Sequence, residues 1–220
     1  MANPNTEQTL KSLQSKYEVK DYDGVIKLLL ENKSVFHEGI FHYNLGTAYL
    51  KKENFPAARL HFEKSLAKGH IGPHLFKNLE ATKKKISAYT FESSRSMKDE
   101  IFSQSLSVPI YYFHTITLVI ILTALLLKKF SKIKKISFIF ILLLGLVPSG
   151  LGLILKNNYN SAILLSDVSV YEGPSEAFDK STQIPGGVKI IIKKANDNWL
   201  YIVSPVFYSG WIQRKKIGIF

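Results

Sequence analysis

Two long uncharged segments in the middle of the chain restrict its fold more than any other feature. Residues 108–127 read VPIYYFHTITLVIILTALLL and residues 136–155 read ISFIFILLLGLVPSGLGLIL, and neither contains Asp, Glu, Lys or Arg. As a helix, each segment would span about 30 Å, which is the thickness of the hydrocarbon core of a bilayer. A soluble helix of that length normally has a polar face. The pattern therefore predicts a two-helix transmembrane hairpin over residues 108–155.

A cluster of lysines separates the two predicted spans. The loop at residues 128–135 contains Lys128, Lys129, Lys132, Lys134 and Lys135. Because Lys and Arg beside short loops remain on the cytoplasmic side of a membrane, we expect this loop in the cytoplasm. Both terminal domains would then be periplasmic, with the spans in a bacterial inner membrane. The alternative is that the lysines only keep the turn soluble and carry no information on orientation.

The first residues, MANPNTEQTL, have neither the charged region nor the apolar region of a signal peptide. A periplasmic N-terminal domain needs a way across the membrane, which leaves three alternatives. A signal has been removed from this chain, or the start is misplaced, or the orientation is reversed. We favour the first, because the distribution of lysines points to a cytoplasmic loop.

Charge and composition exclude several classes of function. The formal net charge is +12, but the excess of Lys and Arg is spread along the chain and only the loop concentrates it. Nucleic-acid binding requires a basic face on a matching fold, and no such motif is present, so we expect no nucleic-acid partner. The absence of Cys rules out disulfides, thiol catalysis and Cys-ligated metals. Neither span holds a charged residue for an ion path. We expect no catalytic residue, metal or cofactor.

The segment before the spans resembles tetratricopeptide repeats. In HYNLGTAYLKKENFPAARLHFEKSLAKG, the positions typical of the repeat are occupied by Leu45, Gly46, Tyr49, Ala58 and Phe62. A degenerate copy precedes this one, and its first helix recurs downstream. We expect two repeats with a capping helix over residues 5–86, which form an α-helical tetratricopeptide solenoid. Gly46 and Ala58 are the small residues expected where the paired helices cross. The alternative is a generic bundle of helical hairpins.

The resemblance to tetratricopeptide repeats implies a concave groove that binds an extended peptide. Asn44 and Asn78 stand one repeat apart, and an amide side chain offers both a donor and an acceptor to a peptide backbone. We expect Tyr43 and Thr47 to line the same face. The alternative is that Asn is merely common at this position of the motif. The residues that follow, 87–107, are rich in Ser and predict a semi-ordered linker or a short juxtamembrane helix.

The last segment, residues 162–220, consists of short runs rich in branched and aromatic residues. It resembles a bacterial Src-homology-3 (SH3-like) domain in the order of its motifs, which are Val170-Tyr171 with Gly173-Pro174, Ile184-Pro185-Gly186, Asn198-Trp199 and Gly210-Trp211-Ile212. The resemblance implies a small closed β-barrel. It also implies a shallow ligand-binding face, for which the candidates are Tyr171, Trp199, Trp211 and Tyr208. A packing role is the alternative, above all for Trp211.

The whole chain therefore predicts a multidomain α and β protein. A tetratricopeptide array, a hairpin centred on positive charge and a terminal SH3-like domain together resemble the BatE-type family of the bacterial Bat aerotolerance operon. That resemblance implies partners of the von Willebrand factor A membrane type and a MoxR-type ATPase system. We expect a non-enzymatic inner-membrane scaffold that binds protein partners through both terminal domains, in an envelope stress or aerotolerance complex. The alternative is a membrane-tethered protein that binds peptidoglycan. Residues 156–161 would join the barrel to the second span.

Overall fold

The computed structural model describes residues 4–86, 96–130, 134–193 and 198–220. In these ranges the chain begins with helices and ends with an antiparallel sheet. The helices are α1 (Pro4–Glu18), α2 (Tyr22–Glu31), α3 (Glu38–Lys51), α4 (Phe55–Ala67), α5 (Pro73–Lys85), α6 (Met97–Ser107), α7 (Ile110–Phe130) and α8 (Lys135–Asn158). The strands are β1 (Tyr159–Leu164), β2 (Val168–Tyr171), β3 (Lys180–Ile184), β4 (Lys189–Lys193), β5 (Trp199–Ser204), β6 (Gly210–Gln213) and β7 (Ile217–Ile219).

Helices α1 to α5 pack in sequence order, and polar caps mark where they begin. The side chains of Asp21 and Asn54 accept hydrogen bonds from backbone N–H groups in the first turns of α2 and α4. Helices α3 and α4 approach closely at Gly46, where a Cβ atom would lie 2.6 Å from Cδ1 of the buried Phe62. The expected small residue at a helix crossing is therefore confirmed. That the five helices form a tetratricopeptide solenoid stays a prediction.

Helices α7 and α8 pack as an antiparallel hairpin, and both are long and apolar enough to cross a membrane by length and composition. They pack closely at Gly152, where a Cβ atom would lie 2.8 Å from Cγ of Phe113. A polar contact joins them as well: the N–H of Ser149, which follows Pro148 in α8, donates to Oγ1 of Thr117 in α7 at 3.1 Å. Small residues and hydroxyl bonds of this kind associate helices in lipid.

The lysine cluster lies where the two long helices meet. Lys128 and Lys129 belong to the last turn of α7, Lys134 precedes α8, and Lys135 is its first residue. Lys132 lies outside the described residues. Helix α7 begins two residues inside the predicted span at 108–127 and ends three residues beyond it, and α8 extends past both ends of the predicted span at 136–155. Three of these lysines and Asn158 are therefore helical although they lie outside the apolar stretches.

The seven strands form one antiparallel sheet in the order β3-β2-β6-β5-β4-β1-β7. Among the described strands, β3 and β7 are the two edges, so the sheet is not closed and the predicted closed barrel is wrong on this point. A physical reason lies in β3, where Lys180, Ser181 and Gln183 are exposed. Polar and charged side chains of this kind are typical of an edge strand and disfavour pairing of β3 with a further strand that would close the barrel.

The sheet begins earlier than the sequence predicts. β1 starts at Tyr159, directly after the last residue of α8, so residues 156–161 are not a connecting segment. The predicted linker at 87–107 is also partly regular, since α6 covers Met97–Ser107, while residues 87–95 lie outside the described part of the chain. The chain therefore passes from a membrane-length helix at Asn158 into the sheet at Tyr159 without an intervening loop.

The helical region and the sheet share a hydrophobic core. Ile86, just after α5, is buried in the same cluster as the inward side chains of the sheet, and Phe55 of α4 packs against it. Leu60 of α4 lies so close to β7 that a Cβ atom at Gly218 would stand 2.2 Å from its Cδ2. The two terminal domains, which the sequence predicts as separate units, therefore pack directly on one another.

Candidate functional site

The predicted groove residues lie on α3 and α5. Asn44 and Asn78 are half-buried, one on each helix. Their backbone carbonyl groups accept hydrogen bonds from the hydroxyls of Tyr17 and Thr82, respectively. The bond from Tyr17 joins α1 to α3, whereas the bond from Thr82 lies within α5, one turn after Asn78. Peptide binding by the two amides stays a prediction.

Tyr43 and Thr47 have intramolecular contacts that restrict what they can bind. The ring of Tyr43 lies 6.2 Å from that of Phe62 and 5.3 Å from that of His70, measured between centroids. The hydroxyl of Thr47 donates to the carbonyl of Tyr43, one turn earlier, at 2.9 Å. Tyr43 therefore contributes to the packing of α3 against α4 and the turn that follows it, with only part of its surface left for a ligand.

A row of aromatic side chains crosses the outer face of the sheet. Strand β5 alternates, with Leu200 and Ile202 inward and Trp199 and Tyr201 half-exposed on the other face. Register places Tyr201 opposite Trp211, and Trp211 opposite Tyr171, so all three side chains belong to one face. The rings meet edge to face, Tyr201 with Trp211 and Tyr171 with Trp199, each pair at 5.4 Å.

The four predicted residues of the SH3-like face separate into two groups. Tyr171, Trp199 and Trp211 lie together on the outer face, although Tyr171 is largely buried there. Tyr208 belongs to the buried core of the sheet with only 9% of its surface exposed, so it lies away from that face. Gly210 allows this arrangement, since a Cβ atom there would lie 2.4 Å from Cγ1 of Val170.

Basic groups border the end of the aromatic face. An open cleft of about 390 Å³ is lined by Asn198, Trp199, Gln213, Arg214 and Lys215. The backbone N–H of Arg214 donates to the carbonyl of Asn198 at 3.0 Å, which joins the end of β6 to the start of β5. A Trp ring beside a guanidinium and an ammonium group can bind a ligand that is both apolar and anionic.

Buried charges connect the helical region to the sheet. Lys189 of β4 donates from Nζ to Oε2 of Glu63 in α4 at 3.0 Å, and both side chains are buried. Arg59, one turn before Glu63, donates to the carbonyl of Gly187 at 2.9 Å and lies 3.8 Å from the carboxylate of Glu63. We call Arg59, Glu63 and Lys189 the junction cluster. It holds α4 at a defined position on the sheet.

The pKa of Glu63 reflects this arrangement. Burial alone would raise the pKa of its carboxyl group, but the charges of Lys189 and Arg59 outweigh burial and lower it below its ordinary value. Glu63 is therefore ionised at neutral pH. A buried pair of this kind adds little net stability over apolar residues, but it strongly disfavours any arrangement that separates the two charges.

Helix α6 is attached to the sheet by Asp99. Its carboxylate accepts hydrogen bonds from the hydroxyl of Ser204 at 2.7 Å and from the N–H of Val206 at 3.2 Å. Burial acts to raise the pKa of Asp99, yet the hydrogen bonds from Ser204, Ser96 and Val206 lower it overall. A ring contact adds to this attachment, since Phe102 meets Tyr159 at 5.1 Å. The region predicted as a linker therefore belongs in part to the folded body.

Two histidines meet between α3 and α4. The Nδ1 atoms of His42 and His61 lie 3.0 Å apart, and the ring of His61 stacks on that of Tyr49 at 5.3 Å. Burial lowers the pKa of His42 to about 4 and that of His61 to about 3, helped by nearby charges. Both rings are therefore neutral at pH 7, and one donates to the other. Within the described ranges, no group of three or more His, Cys, Asp or Glu could hold a metal ion.

In comparisons with protein families, with curated proteins and with solved structures, nothing matches this chain. Its function therefore has to be inferred from its own residues.

Several important positions were not visible to sequence reasoning. Arg59 and Glu63 resemble an ordinary surface pair one helical turn apart, and only their burial against Lys189 reveals their role. Tyr201 could have been found, because it stands two residues after Trp199 on a predicted strand, where residues two apart lie on the same face.

Proposed function

We propose that this protein is a membrane-anchored, non-enzymatic scaffold that presents two protein-binding surfaces as one rigid body. One surface is the face of the helical region that carries Asn44 and Asn78. The other is the aromatic face of the sheet around Tyr201 and Trp211. The anchor is the hairpin of α7 and α8, whose lengths and composition suit two membrane spans. The lysines at its turn favour a cytoplasmic loop and periplasmic terminal domains.

The junction cluster is the observation that carries the proposal. Glu63 and Lys189 hold the helical region against the sheet, and the sheet continues directly from α8 at Tyr159. Lys156 of α8 also donates from Nζ to the carbonyl of Leu106 at the end of α6. A body that is fixed in this way can hold two bound segments at a set distance from each other and from the bilayer, which is what a scaffold needs.

The partners that we propose follow from the resemblance to BatE-type proteins. They are membrane proteins of the von Willebrand factor A type and a MoxR-type ATPase system, in an envelope stress or aerotolerance complex. Direct passage from α8 into β1 supports partners within or near the membrane, because the sheet has no tether with which to reach farther. The same feature argues against the alternative, the binding of peptidoglycan.

The experiment is crosslinking of the full chain in intact cells, followed by identification of the bound proteins. We expect Asn44→Ala with Asn78→Ala to lose a crosslinked partner that the wild-type chain captures. The matched control is Gln8→Ala with Gln104→Ala, which removes two exposed amides from α1 and α6 and should keep that partner. Equal capture by both double variants would contradict binding through the groove. Retention of the chain on purified sacculi, with no protein partner found, would favour the peptidoglycan alternative.

A further inference from the structure

The strands of the sheet share one end at which α8 passes into β1. β1 starts at Tyr159, directly after that helix, so the beginning of β1 marks the side from which the membrane helix arrives. Register carries this level across the sheet: Tyr159 pairs with Lys193, Lys193 with Tyr201, and Tyr201 with Trp211. In an antiparallel sheet, β5 therefore begins on the same side as β1, and β6 ends there.

Trp199 and Arg214 lie beyond this level, toward the membrane helix. Trp199 comes two residues before Tyr201 at the start of β5 and pairs with Gln213 at the end of β6. Arg214 and Lys215 follow Gln213 directly, and both are exposed. The open cleft beside Trp199 is thus at the edge of the sheet from which α8 arrives.

The charges and rings at this edge match the headgroup layer of a membrane. Described cations at this end of the strands include Lys193, Arg214, Lys215 and Lys216. Two acids lie on the same side: Glu176 accepts a hydrogen bond from the amide of Gln213, and Asp167, just before β2, accepts one from the N–H of Gly186. Trp prefers the level of the headgroups, where its ring is apolar and its N–H can bond. Each Lys or Arg near an anionic bilayer adds to the attraction.

We propose that Trp199, Arg214 and Lys215 form a binding site for the headgroups of anionic phospholipids. The proposal rests on the membrane anchoring proposed above, because the site is placed at the bilayer by α8. It assigns Trp199 and its cleft to lipid and leaves Tyr201 and Trp211 for protein. The phosphate is bound by the guanidinium and the ammonium group, while the indole ring enters the boundary between headgroups and acyl chains. The sheet then rests on the bilayer at a second point besides its helix.

The chain offers its own probes, because Trp199 and Trp211 are its two tryptophans. Trp211→Phe leaves Trp199 as the single fluorophore, and Trp199→Phe leaves Trp211 as the matched control. The full chain of each variant is reconstituted into vesicles of phosphatidylcholine alone or with phosphatidylglycerol. Lipids brominated on the upper acyl chain quench the ring that approaches them. We expect Trp199 to be quenched at least twofold more than Trp211, and more strongly when phosphatidylglycerol is present.

Removing the two cations tests the role of charge. In the Trp211→Phe background, Arg214→Ala with Lys215→Ala should abolish the increase that phosphatidylglycerol causes. The control is Lys11→Ala with Lys27→Ala, which removes two exposed cations from α1 and α2 and should leave the increase unchanged. Equal quenching of Trp199 and Trp211, or equal quenching in both kinds of vesicle, would overturn the headgroup site.

Flotation separates the two proposals. A chain that floats with the vesicles after an alkaline wash is anchored, and a flat response of Trp199 then overturns the headgroup site alone. A chain that stays at the bottom of the gradient overturns the membrane anchor and the headgroup site together. Correct folding of the variants at Arg214 and Lys215 is checked by their unchanged denaturation midpoints, which are expected because both side chains are exposed. Folding of the two tryptophan variants is checked by an unchanged circular dichroism spectrum.

Discussion

The carboxylate of Glu63 in α4 accepts a hydrogen bond at 3.0 Å from Lys189 in β4, across a separation of 126 positions. Between them in the chain lie both membrane-length helices. The ends of that hairpin are therefore held together outside it, at a contact between the helical region and the sheet. Because both charges are buried, the contact is sensitive to any change that removes one of them.

Breaking the pair of Glu63 and Lys189 should destabilise the helical region and the sheet together. We expect Glu63→Gln to lower the free energy of unfolding by about 3–5 kcal/mol, since it removes the carboxylate that compensates both buried cations. Lys189→Met alone should cost less, because Arg59 stays beside the carboxylate of Glu63. The double variant should lose less than the sum of the two. Chemical denaturation of the full chain in detergent, followed by fluorescence of the two sheet tryptophans, measures this. Glu31→Gln with Lys27→Met, an exposed pair, should change the free energy of unfolding by less than about 1 kcal/mol.

The histidine pair predicts a dependence of stability on pH. The folded pKa values of His42 and His61, about 4 and about 3, lie below the ordinary value of 6.5. Below pH 6.5 the unfolded chain binds protons that the folded chain does not. The contribution of the two neutral rings to the free energy of unfolding is therefore fully present above pH 6.5 and is lost as the pH drops toward 4. Thermal unfolding followed by circular dichroism measures the midpoint at each pH.

The same experiment separates the histidines from Glu63. The carboxyl of Glu63, with its lowered pKa, contributes stability that is lost only as the pH falls below the range of ordinary carboxyl groups. We expect His61→Phe, which keeps an aromatic ring against Tyr49, to reduce the loss between pH 6.5 and 4.5 by about half, because His42 still titrates there, and to leave the loss at lower pH. An unchanged pH profile in His61→Phe would show that another group is responsible.

The packing of α7 on α8 predicts that two engineered cysteines will form a disulfide between the helices. A Cβ atom at Gly145 would lie 3.6 Å from Cβ of Ile120, within the range of about 3.5–4.5 Å that a disulfide requires. The chain has no Cys of its own, so Ile120→Cys with Gly145→Cys should crosslink in a clean background. Mild oxidation should abolish labelling of the two thiols by maleimide, and reduction should restore it. Leu118→Cys with Gly145→Cys should stay labelled, because Leu118 is 55% exposed on the helix.

Two glycines of α8 should differ in what they tolerate. A Cβ atom at Gly152 meets the ring of Phe113 at 2.8 Å, whereas one at Gly150 meets nothing within 4 Å. We expect Gly152→Val to separate the ends of the hairpin and to reduce the yield of the disulfide between positions 120 and 145. Gly150→Val should leave that yield unchanged. Equal yields in the two variants would mean that the contact with Phe113 does not hold the helices together.

The junction cluster also predicts that the two soluble regions share one side of the membrane. Single cysteines in place of the exposed Ser34 and Lys180 should react alike with a maleimide that cannot cross the membrane, before cells are permeabilised. A cysteine in place of Phe130, at the turn of the hairpin, should show the opposite accessibility. The proposed orientation requires Ser34→Cys and Lys180→Cys to react in spheroplasts. Different accessibility of these two positions would contradict the contact between Glu63 and Lys189 in the native protein.

Local features of the sequence predicted much of the secondary structure. The uncharged stretches at 108–127 and 136–155 correspond to α7 and α8, because apolarity sustained over such a length is a local property. The contact of Gly46 with Phe62 followed from the spacing of a repeat. The predicted closure of the sheet was wrong, since strand pairing depends on partners far apart in sequence. Peptide binding by Asn44 and Asn78 stays a prediction, because only a bound peptide would show that these amides contact a ligand.

By itself, the sequence determined the order of elements: helices with small residues at a crossing, two apolar helices joined by lysines, and strands with alternating aromatic residues. Periodicity and charge act over a few residues, so they can be read locally. Only the tertiary structure decided that Glu63 and Lys189 are a buried pair, that β1 continues from α8, and that Trp199 lies at the end of the sheet where β1 leaves α8. Burial and register arise from contacts between distant segments, which no local pattern encodes.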